Sequence, residues 1–182
     1  MAGILTSFFF SRSSSPHVTA ENFSLNIEGE LDLLDKEALL LLDQFSKQAN
    51  REITIRGEYP FFVYDERQVI SWSDNRFVPS LASVAESFSI KLLKAGNGDY
   101  LAKKWRVDDD DFLVAVIPLY RKFNISNDYL STWWNSNVFP SGNISILEPN
   151  ASIGIAVCAQ DACPFKISFV QGEVPVRENV QI

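Results

Sequence analysis

Between Tyr59 and Arg121 the chain reads as five apolar, β-branched or aromatic runs separated by connections short enough to be turns. Phe61–Asp65 is followed by the polar pair Glu66-Arg67 and then by Val69–Trp72, a pattern that predicts a β-hairpin. Phe88–Lys94, Tyr100–Val107 and Phe112–Tyr120 come next, joined by Ala95-Gly96-Asn97-Gly98-Asp99 and by Asp108-Asp109-Asp110. Gly, Asn and Asp accept turn dihedrals readily, so these neighbours are expected to pair antiparallel as a meander. A hairpin followed by a three-stranded meander is therefore the frame to which the flanking segments must fit.

Upstream, Ser11–Pro16 reads as a Ser-rich link ended by a breaker, and the chain's single histidine, His17, directly follows it in the N-terminal link region. From Leu25 the pattern turns helical. Ile27, Leu31, Leu34, Leu42 and Phe45 approximate one face, with Glu28, Glu30, Asp32, Asp35, Lys36 and Glu37 off it, which predicts a helix over Glu28–Ala49. Leu39–Leu42 covers more than one face, so this helix either touches a second copy as well as its own sheet or is buried on several sides within one domain. Ile53-Thr54-Ile55 reads as a short extended piece. After Trp72 an irregular connection over 73–85 contains Asp74-Asn75-Arg76 and Val78-Pro79, with one helical turn over Ser80–Glu86; connections of this size commonly bind or cap. Asn127–Trp134 has the spacing of a short amphipathic helix. Ile144–Leu147, Ser152–Val157 and Phe165–Val170 predict a small further β layer, and the tail from Gln171 is polar. The organisation is thus a segment 1–24, a helix region 25–58, a sheet core 59–135 and a β extension with tail 136–182.

The length suits one domain with a real core, and 46% hydrophobic residues with 14 Phe and 4 Trp exclude a disordered chain. A formal net charge of −7 argues against a nucleic-acid surface, which needs clustered Lys and Arg. Gly3–Phe10 is apolar but far shorter than the roughly 20 residues that span a bilayer. It reads either as the outer end of a membrane helix or as a short segment docked on the domain. Cys158 and Cys163 flank the loop Ala-Gln-Asp-Ala between two apolar runs. They read as a disulfide closing a hairpin, which needs an oxidising compartment, or as two buried free thiols; four zinc ligands cannot be gathered around them.

No catalytic constellation is legible. His17 is a poor general base in a link, and neither a phosphate loop nor a metal-ligand spacing occurs, so no cofactor or metal is expected. Asp108–Asp111 lacks the alternation and glycine of a calcium loop and reads as a solvated turn, with a weak cation site as the alternative. Tyr64, Trp72, Trp105 and Tyr120 lie on predicted strands with Lys104, Arg106 and Arg121 near them. These aromatics are candidates to line a small-molecule cavity whose cations hold an acidic ligand, although aromatics on strands more often pack a core. With the connection, the candidate ligand residues are Tyr64, Trp72, Asp74, Asn75, Arg76, Trp105 and Arg121. Four Asn-x-Ser sequons, at Asn22, Asn124, Asn143 and Asn150, would carry glycans in a eukaryotic secreted protein.

The run Phe61-Phe-Val-Tyr-Asp-Glu-Arg-Gln-Val-Ile-Ser-Trp-Ser-Asp-Asn75 resembles a strand–turn–strand signature in the extracytoplasmic sensor region of bacterial membrane-bound histidine kinases. Gly98-Asp-Tyr100, Phe112–Leu119 and Asn127-Asp-Tyr-Leu130 are similar to later pieces of that region, so the resemblance spans about Tyr59–Leu130. It implies a PAS/Cache-like five-stranded antiparallel sheet, the hairpin pairing with the last strand, and with the long N-terminal helix and small C-terminal β extension read above the expected fold is α+β. It also implies a non-catalytic input domain of a two-component receptor, periplasmic and tied to the inner membrane by flanking segments, and the leucine run of the helix adds the expectation of a homodimer in the intact receptor. The kinase would lie downstream. A secreted or cell-surface module that binds carbohydrate or protein is the alternative from another class.

Overall fold

The computed structural model describes residues 16–48, 50–54, 57–122, 132–140 and 144–169. It is an α+β structure built on an antiparallel sheet with a long helix at its N-terminal end. Helix α1 spans Pro16–Lys47, strands β1 and β2 span Phe61–Tyr64 and Val69–Trp72, and a single turn of helix, α2, spans Leu81–Val84. Strands β3, β4 and β5 follow at Ile90–Ala95, Gly98–Arg106 and Phe112–Arg121. The two-residue strand β6 is Trp133–Trp134, and β7, β8 and β9 are Ile144–Leu147, Ile155–Ala159 and Ala162–Phe169.

The large sheet runs β2-β1-β5-β4-β3, with β6 added to the end of β5, and its pairings are all antiparallel. The meander follows from its turns. At the β3–β4 turn a Cβ on Gly98 would stand 2.1 Å from the Tyr120 carbonyl oxygen, so only glycine lets β4 approach β5 there. The first strand of the hairpin pairs with β5, Phe61 opposite Ala115 and Tyr64 opposite Phe112. β5 thus has a neighbour on each side and a covered face above and below, which explains why Leu113–Leu119 is buried without a break.

Alternation along the strands defines the two faces. Phe61, Val63, Leu92, Leu101, Leu113, Ala115 and Ile117 point to the face covered by α1 and by the small sheet β7-β9-β8. Phe62, Tyr64, Leu93, Tyr100, Ala102, Val114 and Val116 point to the other, which the β2–β3 connection covers. Helix α1 buries Ala20, Phe23, Ile27, Leu31, Leu34, Ala38, Leu41 and Phe45, a stripe stepping by three and four residues.

Several expectations need correction. The helix begins at Pro16, ahead of Glu28, and ends at Lys47. Pro16, read as closing the link, is the first described residue and already lies within the helix. His17 accordingly belongs to α1 rather than to a linker. The sheet has six strands and not five, because Trp133-Trp134 pairs with Tyr120 and Arg121 instead of ending a helix; 127–131 lie outside the described residues. Within the leucine run, Leu41 faces the core and Leu42 packs beside it, whereas Leu39 and Leu40 are 64% and 62% exposed. Residues 51–54 form no strand; Ile53 donates its N–H to Ser71 Oγ at 3.0 Å. Gly3–Phe10, the sequons at Asn124 and Asn143 and the tail from Val170 lie outside the described residues. No described helix is long and apolar enough to cross a membrane.

Candidate functional site

The connection after β2 is tied down from its first residue. Ser73 exchanges hydrogen bonds with Phe61, its N–H donating to the Phe61 carbonyl at 3.0 Å and its Oγ accepting the Phe61 N–H at 2.9 Å. Asp74 then accepts the Arg76 N–H at 2.7 Å and the Arg76 Nε at 2.7 Å, an Asx turn of the kind short polar side chains form. The Arg76 hydrogen bond and charge hold the Asp74 carboxyl below its ordinary range, and the nearby Arg121 guanidinium adds to this. The chain next crosses the sheet. Tyr64 donates its hydroxyl to the Pro79 carbonyl at 2.6 Å, and Phe77 stacks on Tyr100 with ring centroids 3.8 Å apart. Tyr64 also stacks on Phe112 at 5.2 Å. Burial raises the pKa of both tyrosines, so they are neutral packing groups with one polar tip each. Lys104 bonds the Val84, Ala85 and Glu86 carbonyls that α2 leaves free, while its ammonium lies 3.8 Å from the Phe112 ring centre.

Where this cover ends, a cleft of about 280 Å³ opens between Tyr59, Arg76, Pro118, Arg121, Trp133 and Asn135. The Arg121 guanidinium stands 5.4 Å over the Trp133 ring, and its charge acts against the burial that raises the Tyr100 pKa. Arg76 is 70% exposed beyond its pair with Asp74. Two guanidinium groups beside an exposed indole can hold a carboxylate and stack a flat apolar group. Glu58 on the same rim limits the positive field.

The seven candidate residues therefore do not form one site. Arg76 and Arg121 line the cleft, and Asp74 stands behind Arg76. Asn75 is exposed on the same connection, and Trp72 is 52% exposed at the end of the edge strand β2. Tyr64 is sealed under the connection, where its ring is part of the packing. Trp105 points to the opposite face and donates its Nε1–H to Asp35 at 3.2 Å. Trp133, which contributes to the cleft, is not among the seven, because the pair Trp133-Trp134 has helical rather than strand spacing with Tyr129 and Leu130. Asp108 has a structural role. Its Oδ1 accepts the Asp110 and Asp111 N–H groups, and its Oδ2 binds Arg51 at 2.6 Å, tying the β4–β5 turn to the exit of α1.

The second polar centre lies on the α1 face. Lys103, the one charged side chain among the buried described residues, contacts Asp35 at 2.6 Å and the side-chain oxygen of Gln160. Gln160 sits at the tip of the β8–β9 hairpin. Its N–H donates to Glu28 at 2.9 Å and its side-chain amide to Asp35 at 2.8 Å, while the Cys158 N–H donates to Ser24 Oγ at 3.1 Å. Ser24, Glu28 and Asp35 thus form a polar row beside the apolar stripe of α1, and that row holds the hairpin. A disulfide joins Cys158 and Cys163 across the hairpin with their Cα atoms 4.0 Å apart.

In comparisons with protein-family models, curated proteins and solved structures, the chain shows no match.

Proposed function

We propose that this chain is the extracytoplasmic sensing domain of a membrane-bound two-component receptor. In this reading it takes up a small acidic ligand or responds to the state of the envelope, and α1 passes that state to a second copy and to the membrane. The observation that carries the reading is the strand order β2-β1-β5-β4-β3 with a long preceding helix laid on one face, the arrangement implied by a PAS/Cache-like sensor. Two further features agree with it. The disulfide suits an oxidising compartment. The cleft between Arg76, Arg121 and Trp133 offers charge and stacking at the edge of the loop-covered face, where a ligand would bear on the connection directly. On the loop-covered face Tyr64, Phe77 and Tyr100 pack against the sheet, so in this reading the ligand belongs at the rim.

Transmission requires an element with two states that the ligand biases differently. Helix α1 is the candidate, because Leu25, Leu39 and Leu40 stand 69%, 64% and 62% exposed on its outer side. Pairing of two copies along this side, favoured when a membrane tethers them together, would cover these leucines. Replacing Leu25, Leu39 and Leu40 with Glu should leave the isolated domain folded and abolish signalling in the intact receptor. Undiminished signalling would remove the relay from the proposal. The second reading, a secreted binding module, is favoured by the exposed Trp72 and Trp133 and by exposed sequon residues at Asn22 and Asn150. Glycans on Asn22 and Asn150 in the natural source would favour it over the receptor.

A further inference from the structure

We propose that the Cys158–Cys163 bridge is a thiol–disulfide exchange site whose state sets how firmly the β8–β9 hairpin holds α1. The inference rests on α1 being the output element of a sensor, and it adds the redox state of the bridge as an input. Both cysteines are exposed, and Cys163 lines a groove of about 230 Å³ with Ile90, Leu92, Pro149 and Pro164, so a thiol can reach the sulfur pair. The turn that the bridge closes is unusual in its residues rather than in its form, because two left-handed positions in a two-residue hairpin turn usually take Asn, Asp or Gly. Gln160 and Asp161 have φ of 47° and 63°, the left-handed region in both central positions, and neither is glycine. Such a turn needs outside support. It has two sources of it, the bridge at its base and the polar row of α1 at its tip, where Glu28, Asp32 and Asp35 all receive hydrogen bonds from Gln160.

The two supports are coupled through one residue. With the bridge closed, Gln160 is held in the left-handed conformation that aims its N–H at Glu28 and its side chain between Asp35 and Lys103. In reduction by a dithiol, one thiolate attacks a cysteine sulfur to give a mixed disulfide, and the second thiol displaces the protein thiolate. Two electrons pass to the Cys158–Cys163 bond, the dithiol becomes a disulfide, and each cysteine sulfur takes up a proton. The turn then relaxes towards ordinary dihedrals, Gln160 leaves the row, and Lys103 retains Asp35 alone. The C-terminal sheet remains packed through Val157, Phe165 and Ile167, so the loss is confined to the polar half of the α1 contact.

The test uses the full chain with and without dithiothreitol, reading thiol titre and amide hydrogen exchange. Two free thiols should appear under native conditions. Exchange at the Cys158 and Gln160 amides and across residues 24–35 should quicken about tenfold or more, with amides of β4 and β5 unchanged. The double variant Cys158→Ser/Cys163→Ser should behave like the reduced protein in both conditions. Gln160→Ala, with the bridge intact, should quicken residues 24–35 while leaving the thiol titre at zero. A bridge that resists reduction in the folded protein would overturn the proposal, as would free thiols with unchanged exchange in α1. Equal quickening of β4 and β5, or failure of the double variant to fold, would mark the bridge as a general staple and overturn it too. None of these outcomes bears on the leucine test, so failure here leaves the sensing reading standing.

Discussion

On one face of the large sheet, a 32-residue helix and a three-stranded sheet meet around Phe61, Leu101 and Leu113; on the other, a single connection with one turn of helix closes over Phe62, Tyr64 and Tyr100. The first face is closed by two regular elements whose positions are fixed by many residues at once. The second is closed by a loop whose hold is concentrated in a few aromatic stacks and in side-chain hydrogen bonds from Tyr64 to Pro79, from Lys104 to the Val84, Ala85 and Glu86 carbonyls and from Lys91 to the Ser83 carbonyl. Polar contacts are also used differently. Over the connection they satisfy backbone carbonyls of the loop itself. Against α1 they link side chains from β4, the helix and the C-terminal hairpin, residues far apart in sequence. A loop-closed face can give way locally, whereas a face closed by elements transmits displacement. In the sensor proposed above, the loop-closed side would receive and the side closed by the helix would pass on.

The comparison can be broken on β1, where Phe61 and Phe62 are both fully buried and point to opposite faces. Phe→Ala substitutions in a core cost about 3–5 kcal/mol, with the spread set by how far the surroundings collapse. Phe61→Ala, clamped between regular elements, should fall at the upper end. Phe62→Ala should fall at the lower end, because the connection can settle into the space. Urea unfolding of the two variants measures the difference. If Phe62→Ala costs as much as Phe61→Ala or more, the connection is as rigid as the helix layer and the division fails.

A smaller effect sharpens the polar side of the comparison. Asp35→Ala removes the carboxylate partner of Lys103, whose side chain is only 8% exposed, and takes acceptors from Gln160 and Trp105. Stranding a buried charge is costly, and with Asp35 itself partly in solvent about 2–3 kcal/mol is expected. Tyr64→Phe on the other face removes one buried hydrogen bond to Pro79 and should cost about 1 kcal/mol. Comparable losses in the same unfolding measurement would mean that Lys103 is adequately served by Gln160 and that the junction is not specific to Asp35.

The strands were legible because their turns were. Gly96-Asn97-Gly98 and Asp108–Asp111 punctuate the meander, and β1 to β5 lie within two residues of the expected runs. The upstream reach of the helix was not, since Pro16 after a serine run can either end a link or stand within a helix, and only packing of Ala20 and Phe23 against the sheet decides for the helix. Leu41 and Leu42 differ by one 100° step, and which of them is central depends on the azimuth at which α1 docks. Two residues of the candidate cleft, Arg76 and Arg121, stood among the candidates read from the sequence. Trp133 was hidden because strand pairing with β5, rather than periodicity, sets its direction. The Lys103 junction left no trace in the sequence. Its members come from positions 28, 35, 103 and 160, each an ordinary polar residue on its own element, and no spacing rule connects a helix face to a hairpin tip.

The smallest predicted effect is in acid, where the two faces should again separate. Burial works to raise the Asp35 pKa, but the hydrogen bonds from Lys103 and Gln160, the Lys103 charge and the bond from Trp105 outweigh it and hold the carboxyl below its ordinary 3.8. Asp74 on the other side is also lowered, mainly by Arg76. A carboxyl whose pKa is lower in the folded state than in the unfolded one contributes stability that is complete above the unfolded value, about pH 4, and is lost as pH falls through the folded value. Glu37 and Asp111, both raised by burial, act in the opposite sense and offset part of that loss. Unfolding midpoints in urea should therefore fall as the solution is taken below about pH 4. Asp35→Asn should flatten that acid limb more than Asp74→Asn, because Lys103 is enclosed whereas Arg76 stands mostly in solvent, where water and salt screen its charge. An acid limb flattened more by Asp74→Asn would place the stronger electrostatic hold on the loop-closed face and reverse the assignment of the two sides.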